Sequence, residues 1–314
     1  MKKILGTMTF GQQTDETEAK KIVEVFLRDG NEELDTAYVY NEGRSEQILG
    51  KAIEYDLDKV KVATKANPRI TGRLDADAVN MQFKESLERM QVNNVDIYYL
   101  HFPDYNTPVD SALEACAKLY EEGKFKQLGL SNFPAWMVAE IYHKCKTNGY
   151  MLPKIYEGVY NALSRDAERE LLDALNEYDI SFYAYNPLAG GILSGKYNSY
   201  DDKPIEGRFT FRPNYQNRYW KKSYFEALDI IRPACEKEEI PMAEAAFRWI
   251  ANHSELSKNN NNGIIIGASS SVQLEKNINA INRGKLADEI VDAFDKGWNI
   301  CKKDAPVYFR YYGK

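Results

Sequence analysis

Val60-Lys61-Val62-Ala63-Thr64-Lys65, then an amphipathic stretch over 75–90, then Val95-Asp96-Ile97-Tyr98-Tyr99-Leu100-His101, is the part of the chain that decides its fold. The two flanking runs are short, continuous and rich in β-branched and aromatic residues, the pattern of strands buried on both faces of a parallel sheet. The segment between them places apolar residues at helical spacing. Strand, helix and strand in that order form a β–α–β unit, and a helix is the usual way to return the chain for a second parallel strand.

Working outward, the same unit recurs to both ends. Strands are predicted at 3–8, 33–35, 60–64, 95–100, 126–130, 155–160, 181–185 and 263–266, and helices at 17–28, 45–55, 75–90, 108–122, 134–148 and 169–177. About eight units in one chain favour closure as a (β/α)8 TIM barrel over an open sheet. No linker rich in Pro, Gly or Ser divides the chain, so a single domain over 1–314 is expected, and 314 residues at 44% hydrophobic suffice for it. Gly123 and Gly149 stand where helices stop. Ser111 and Glu114 have capping-box spacing, although Pro108 points to an earlier start. Two stretches break the rhythm: the long segment 186–220, read as irregular and of a length that is usually functional or disordered in compact domains, and the asparagine run 259–262, read as a solvated loop without a role in chemistry.

Composition narrows the partners. A formal net charge of -6 provides no basic field for nucleic acid or an anionic membrane, which leaves a small molecule as the default. Cys116, Cys145, Cys235 and Cys301 have no Cys-x-x-Cys spacing and read as reduced thiols, and three histidines without a His-Glu-x-x-His pattern offer little to a metal, so no metal site is expected. Gly6 and Thr7 interrupt the apolar start, and no run is long enough to span a membrane, so a soluble cytoplasmic protein is expected.

Four polar residues sit at or just after the ends of successive strands: Asp35 and Tyr40 in Leu34-Asp35-Thr36-Ala37-Tyr38-Val39-Tyr40, then Lys65 and His101. In a barrel these positions converge on one mouth. Reducing a carbonyl needs a hydride on carbon and a proton on oxygen. A phenol is a reluctant donor at neutral pH unless a cation favours its phenolate. Tyr40 is then the acid, Lys65 its tuner, Asp35 the anchor of Lys65, and His101 the group that orients the carbonyl oxygen or relays the proton. Singly, each residue has an ordinary structural explanation; their joint placement carries the reading.

These residues lie in motifs that resemble the aldo-keto reductase family over essentially the whole chain: 34–40 followed by Ser45-Glu46, Lys65, 95–101, Gly129-Leu130-Ser131-Asn132, and Asn186-Pro187-Leu188-Ala189-Gly190-Gly191-Ile192-Leu193-Ser194-Gly195-Lys196. Within the family the chain is most similar to the aflatoxin-aldehyde and succinic-semialdehyde reductases, through 186–191, Arg218-Tyr219-Trp220-Lys221 and Tyr308-Phe309-Arg310. The resemblance implies a (β/α)8 barrel that uses NADPH to reduce aldehydes, with Asp35, Tyr40, Lys65 and His101 as the catalytic tetrad. It implies that Ser131 and Asn132 bond the nicotinamide carboxamide, that Tyr185 stacks on the ring, and that the segment from Asn186 through Pro187, Leu188, Ala189, Gly190, Gly191, Ile192, Leu193, Ser194 and Gly195 to Lys196 wraps the pyrophosphate. Ser269, Ser270, Gln273, Asn277 and Arg208 would hold the 2'-phosphate end. His101, Tyr215, Arg218 and Arg310 would face the substrate, the arginines pairing the carboxylate of a small acidic aldehyde such as succinic semialdehyde. A substrate-facing tail is expected over 304–314, whose extension past Arg310 would either reposition Arg310 or cover the mouth, and the resemblance suggests a homodimer.

One departure is Glu157, where the family usually has a glutamine that contacts the carboxamide. The expectation here is that an ionised Glu157 favours the cationic oxidised nicotinamide over the neutral reduced one. A competing reading is a barrel that keeps its cofactor but acts as a docking subunit, as potassium-channel β subunits do. Retention of Tyr40 and Lys65 weighs for chemistry.

Overall fold

A computed structural model describes residues 1–202, 204 and 207–310. Among these, eight parallel strands close into a barrel in chain order: β1 (Lys2–Gly6), β2 (Glu33–Asp35), β3 (Lys61–Ala66), β4 (Ile97–Leu100), β5 (Gln127–Ser131), β6 (Pro153–Val159), β7 (Ser181–Tyr185) and β8 (Gly263–Gly267), with β8 pairing back onto β1. The helices that return the chain are α1 (Glu16–Arg28), α2 (Arg44–Ala52), the short α3 (Pro68–Thr71), α4 (Ala76–Met90), α5 (Asp110–Glu121), α6 (Ala135–Asn148) and α7 (Leu171–Glu177). After β7 come α8 (Arg208–Phe211), α9 (Pro213–Tyr219), α10 (Lys222–Lys237) and α11 (Met242–Asn252), and after β8 come α12 (Ser271–Asn282) and α13 (Asp288–Cys301).

Local chemistry sets these boundaries. Asp15 and Asp75 cap α1 and α4 by accepting the backbone N–H of Glu18 and Ala78 at 2.8 and 3.0 Å. In α1 the buried residues are Ala19, Ile22, Val23 and Phe26, a stripe at helical spacing laid on the barrel. The Ser111–Glu114 capping box does not form. Val109 precedes the first turn of α5, and the Ser111 hydroxyl, inside the helix, accepts instead from the Ala76 N–H of α4 at 3.3 Å. The asparagine run is likewise corrected at its last residue. Asn262 is buried, and its Oδ1 accepts the Phe182 N–H at 2.8 Å while its carbonyl accepts the Lys2 N–H at 2.9 Å, so it ties β7 to β1. The segment 186–220 is not irregular throughout, because α8 and α9 lie within it. The final residues 311–314 of the expected tail lie outside the described residues.

The barrel interior is filled rather than hollow. Ile4, Ala63, Ile97, Tyr99, Ile155, Tyr183 and Ile265 form one inner cluster, separate from the larger core between sheet and helices. At its lower end Tyr183 Oη donates to Glu33 at 2.9 Å and receives the Lys2 ammonium at 3.3 Å. Such bulk fits because some positions have no side chain. A Cβ on Gly129 would lie 2.3 Å from the Tyr99 ring. Gly129→Ala is therefore expected to cost about 1–3 kcal/mol of stability by overpacking, read as a lower urea midpoint at unchanged slope.

Candidate active site

The C-terminal ends of the strands open into a cavity of about 770 Å³. Asp35 is the last residue of β2, and the chain then turns through Tyr40–Gly43, where Asn41, Glu42 and Gly43 all adopt left-handed backbone angles (φ 51°, 58° and 84°). Asn41 holds the turn: its Nδ2 donates to the carbonyls of Met8 and Phe10 at 2.9 and 2.6 Å, and its Oδ1 accepts from Arg212 at 2.7 Å. Gly43 is needed at the turn's end, since a Cβ there would strike the Arg89 guanidinium at 2.6 Å. This turn delivers Tyr40 to the cavity wall.

Lys65 is fully buried (0% exposed), so its charge must be paired. Its ammonium donates to Asp35 Oδ1 and to the Thr36 carbonyl at 2.7 Å. A third group faces it that the sequence did not suggest as its partner: Glu157 Oε2, from β6 across the barrel, stands 3.2 Å away. Burial works to discharge Lys65, but Asp35 and then Glu157 leave it above its ordinary value, so it remains an ammonium. The Tyr99 ring lies beneath it at 5.2 Å and the Tyr40 ring beside it at 5.4 Å. The expected lowering of Tyr40 by Lys65 is not what the environment provides. Burial, then the charges that Glu157 and Asp35 carry when ionised, push the phenol well above its ordinary value, against a single cation.

His101 packs edge-on against Tyr40 at 5.9 Å, and burial, then Lys65 and Arg69, hold it well below its usual range, so the imidazole is neutral. Asn67, just after β3, fixes its tautomer. Asn67 Oδ1 accepts the Arg69 N–H at 3.0 Å, which turns the amide nitrogen to His101 Nδ1 at 3.2 Å. A nitrogen that accepts there leaves the proton on Nε2. Asn67 and Arg69 were missed from the sequence, although both follow a strand at the functional end of the barrel.

The cavity runs from these groups past Asn132, Tyr185, Asn186, Pro187, Leu188, Gly190, Gly191, Ser194 and Lys196 to Arg208, Ser269 and Gln273, which is the extended path a dinucleotide requires. Its residues suit one, since Gly190 and Gly191 have φ of 71° and 116° and leave the backbone bare. Ser270 and Asn277 do not line the cavity, although Asn277 has a buried Nδ2 with no partner. Ala189, Ile192 and Leu193 point into the core, so only their backbone is available to a ligand, and Gly195 is not part of the wall. Ser131 does not line the cavity; its hydroxyl accepts from Asn132 Nδ2 at 2.8 Å. Asn132 is held by that bond, by a second to the His101 carbonyl at 3.0 Å, and by Tyr185 Oη, which donates to its Oδ1 at 2.7 Å. Near α12, Ser270 caps the helix by accepting the Gln273 N–H at 3.2 Å, and the Ser269 N–H and hydroxyl both donate to Gln273 Oε1. Glu18 already takes the N–H and hydroxyl of Ser271 at 2.6 and 2.7 Å.

Over the mouth, Tyr215 lies between Arg208 and Arg218, whose guanidinium carbons stand 5.2 and 5.1 Å from its ring. Arg310 lines the same cavity, its backbone pinned by bonds to the Asn132 carbonyl at 3.1 Å and from Tyr105 Oη at 2.9 Å. Arg69, Arg212 and Lys221 add to the wall.

The model of the aldo/keto reductase family matches residues 4–299. The chain is 44% identical to aflatoxin B1 aldehyde reductase member 2 of Rattus norvegicus over 98% of its own length and 87% of that protein. It is 42% identical to aldo-keto reductase family 7 member A3 of Homo sapiens over 98% and 96% of the two chains. It is 34% identical to oxidoreductase sirO of Leptosphaeria maculans over 97% and 96%. No helix of the described residues is long and apolar enough to cross a membrane. A family match that runs from the first barrel strand to the last helix, on a closed eight-stranded barrel, makes this chain a member of the aldo/keto reductase family, whose enzymes are oxidoreductases working with a nicotinamide cofactor.

Proposed function

We propose that this protein reduces small aldehydes to alcohols with NADPH, and that its preferred substrates carry an anionic group. The observation that carries the reading is the buried Asp35–Lys65 pair packed beside Tyr40 where an extended cavity reaches the barrel mouth. The Tyr40 hydroxyl gives its proton to the carbonyl oxygen as charge develops there, and His101 donates from Nε2 to the same oxygen, which fixes its position. Lys65 stabilises the phenolate that remains, with Asp35 and the Thr36 carbonyl holding the ammonium in place. A reduced nicotinamide supplies the hydride when bound. Asn132, Tyr185 and Glu157 are the candidates to hold its ring end, the backbone over 186–196 its pyrophosphate, and Ser269, Ser270, Gln273, Asn277 and Arg208 its adenosine end. Arg208 and Lys196 put positive charge along that path, which supports NADPH over NADH.

The anionic preference is supported by Arg69, Arg212, Arg218 and Arg310 around one opening. The name of the rat relative, an aflatoxin B1 aldehyde reductase, agrees with aldehyde reduction. Four free, buried thiols agree with a cytoplasmic location.

Following NADPH oxidation with succinic semialdehyde and with 4-nitrobenzaldehyde tests the reading. Turnover of both is expected, with NADH much poorer. Arg218→Ala is expected to lose about 10–100-fold in kcat/KM for the acidic aldehyde, the worth of a hydrogen bond to a charged group, and little for the neutral one. Equal losses on both substrates would remove the carboxylate role. No turnover with any aldehyde would favour the docking subunit.

A further inference from the structure

We propose that Glu157 competes with Tyr40 for the Lys65 ammonium and so holds the Tyr40 phenol in its protonated form, biasing the site toward carbonyl reduction and against alcohol oxidation. The inference rests on the reading of Tyr40 as the proton donor. Lys65 has three N–H groups. Two are used on Asp35 and the Thr36 carbonyl, leaving one to stabilise an anion on its remaining side. Two groups stand there, Glu157 Oε2 at 3.2 Å and the Tyr40 ring at 5.4 Å from Nζ. Glu157 Oε2 is buried and meets the ammonium as an ion pair without good hydrogen-bond geometry, and the Tyr40 hydroxyl has no hydrogen bond to another described residue. One buried cation cannot neutralise both a carboxylate and a phenolate when Asp35 already takes a full share of it. Whichever of the two ionises first makes the other harder to ionise.

The surroundings decide the order. Around Glu157 and Tyr40 stand Asp35 from β2, Lys65 from β3, Tyr99 from β4 with His101 just after it, Tyr185 from β7 and Tyr215 from α9. Burial, then the Asp35 charge, push Glu157 up to about 8 against the pull of Lys65, while Tyr40 lies higher still from its ordinary range. As pH rises, the first proton lost is therefore the carboxyl proton of Glu157, and the charge left behind opposes loss of the phenolic one. Reduction uses the phenol. The reverse reaction uses the phenolate, to which the alcohol gives its O–H proton as its C–H hydride passes to an oxidised nicotinamide, leaving the carbonyl. A glutamine at 157 has the same shape and no charge, so it would free Lys65 to stabilise that phenolate.

The test compares wild type, Glu157→Gln and each paired with Tyr40→Phe. In Glu157→Gln the alkaline limb of kcat/KM for aldehyde reduction is expected to move down by about one pH unit or more, which is a tenfold change in the ionisation equilibrium. Alcohol oxidation with NADP+ in mildly alkaline buffer is expected to rise by about the same factor. Without cofactor, the tyrosinate difference absorbance between each enzyme and its Tyr40→Phe counterpart is expected at lower pH in Glu157→Gln. An unchanged limb with an unchanged tyrosinate midpoint overturns the proposal. So does a Tyr40 tyrosinate step below about 10, the free phenol value, in wild type alone, a measurement that needs no Glu157 variant to fold. Wild-type turnover by Tyr40→Phe would instead overturn the assignment of the proton donor, and the proposal with it.

Discussion

Tyr40→Phe is expected to reduce kcat for aldehyde reduction by about 10²–10⁴-fold, the usual contribution of a positioned general acid, with NADPH affinity and thermal midpoint close to wild type. The phenol oxygen has no hydrogen bond to a described side chain, so its removal strands none of them. The ring remains against His101 and Lys65, which keeps the wall of the cavity in place. Stopped-flow hydride transfer and a cofactor fluorescence titration on the same sample separate the two quantities. Loss of activity together with loss of NADPH binding would mean that Tyr40 shapes the cofactor site and does not protonate substrate.

Lys65→Met is expected to be the most damaging single change to the fold among the site residues, at about 3–5 kcal/mol, because it leaves buried charge uncompensated. Asp35 and Glu157 would both lose their cation, and the Thr36 carbonyl its donor. Without Lys65 the two carboxyls hold their protons more tightly in the folded chain than in the unfolded one. The folded state then binds more protons, so stability falls as pH rises from the ordinary carboxylate range through the raised values. The deficit against wild type is thus expected to be smallest near about pH 4 and largest above neutrality. Urea unfolding across that range reads it. A deficit independent of pH would mean that lost packing of the lysine stem, and not the stranded carboxylates, sets the cost. Activity is expected to fall with that of Tyr40→Phe, since the phenolate left by proton transfer loses its cation.

The barrel was legible because each strand is a short apolar run with its own helix after it. Even β2, with Glu33, Leu34 and Asp35 alone, was readable from its place in the alternation. Asp35, Tyr40, Lys65 and His101 could be found because they follow strand ends, and the ends of parallel strands share one face. What stayed hidden depends on contacts across the barrel. Nothing local to Glu157 indicates that β6 will set it against Lys65 of β3, since closure and strand tilt bring them together. Asn67 was passed over because its importance lies in the orientation of its amide, which the Arg69 N–H determines. Ser111 misled because an Ser-x-x-Glu spacing reports a cap only where the helix begins there. The buried Asn262 was hidden in a run whose composition is that of solvated loops.

The packed interior beneath the site has a consequence for proton supply. Tyr99 lies directly under Lys65, and below it the plug continues to Tyr183 and the Lys2–Glu33 contact at the far end. Among the described residues the site is floored by this plug, so the route to solvent is expected to be the mouth. A ligand seated over the mouth would separate the four groups and Glu157 from bulk buffer, so the protons present at loading would be those available to the reaction. Buffer pH would then act chiefly at the moments of entry and release, by setting the inventory with which each cycle begins.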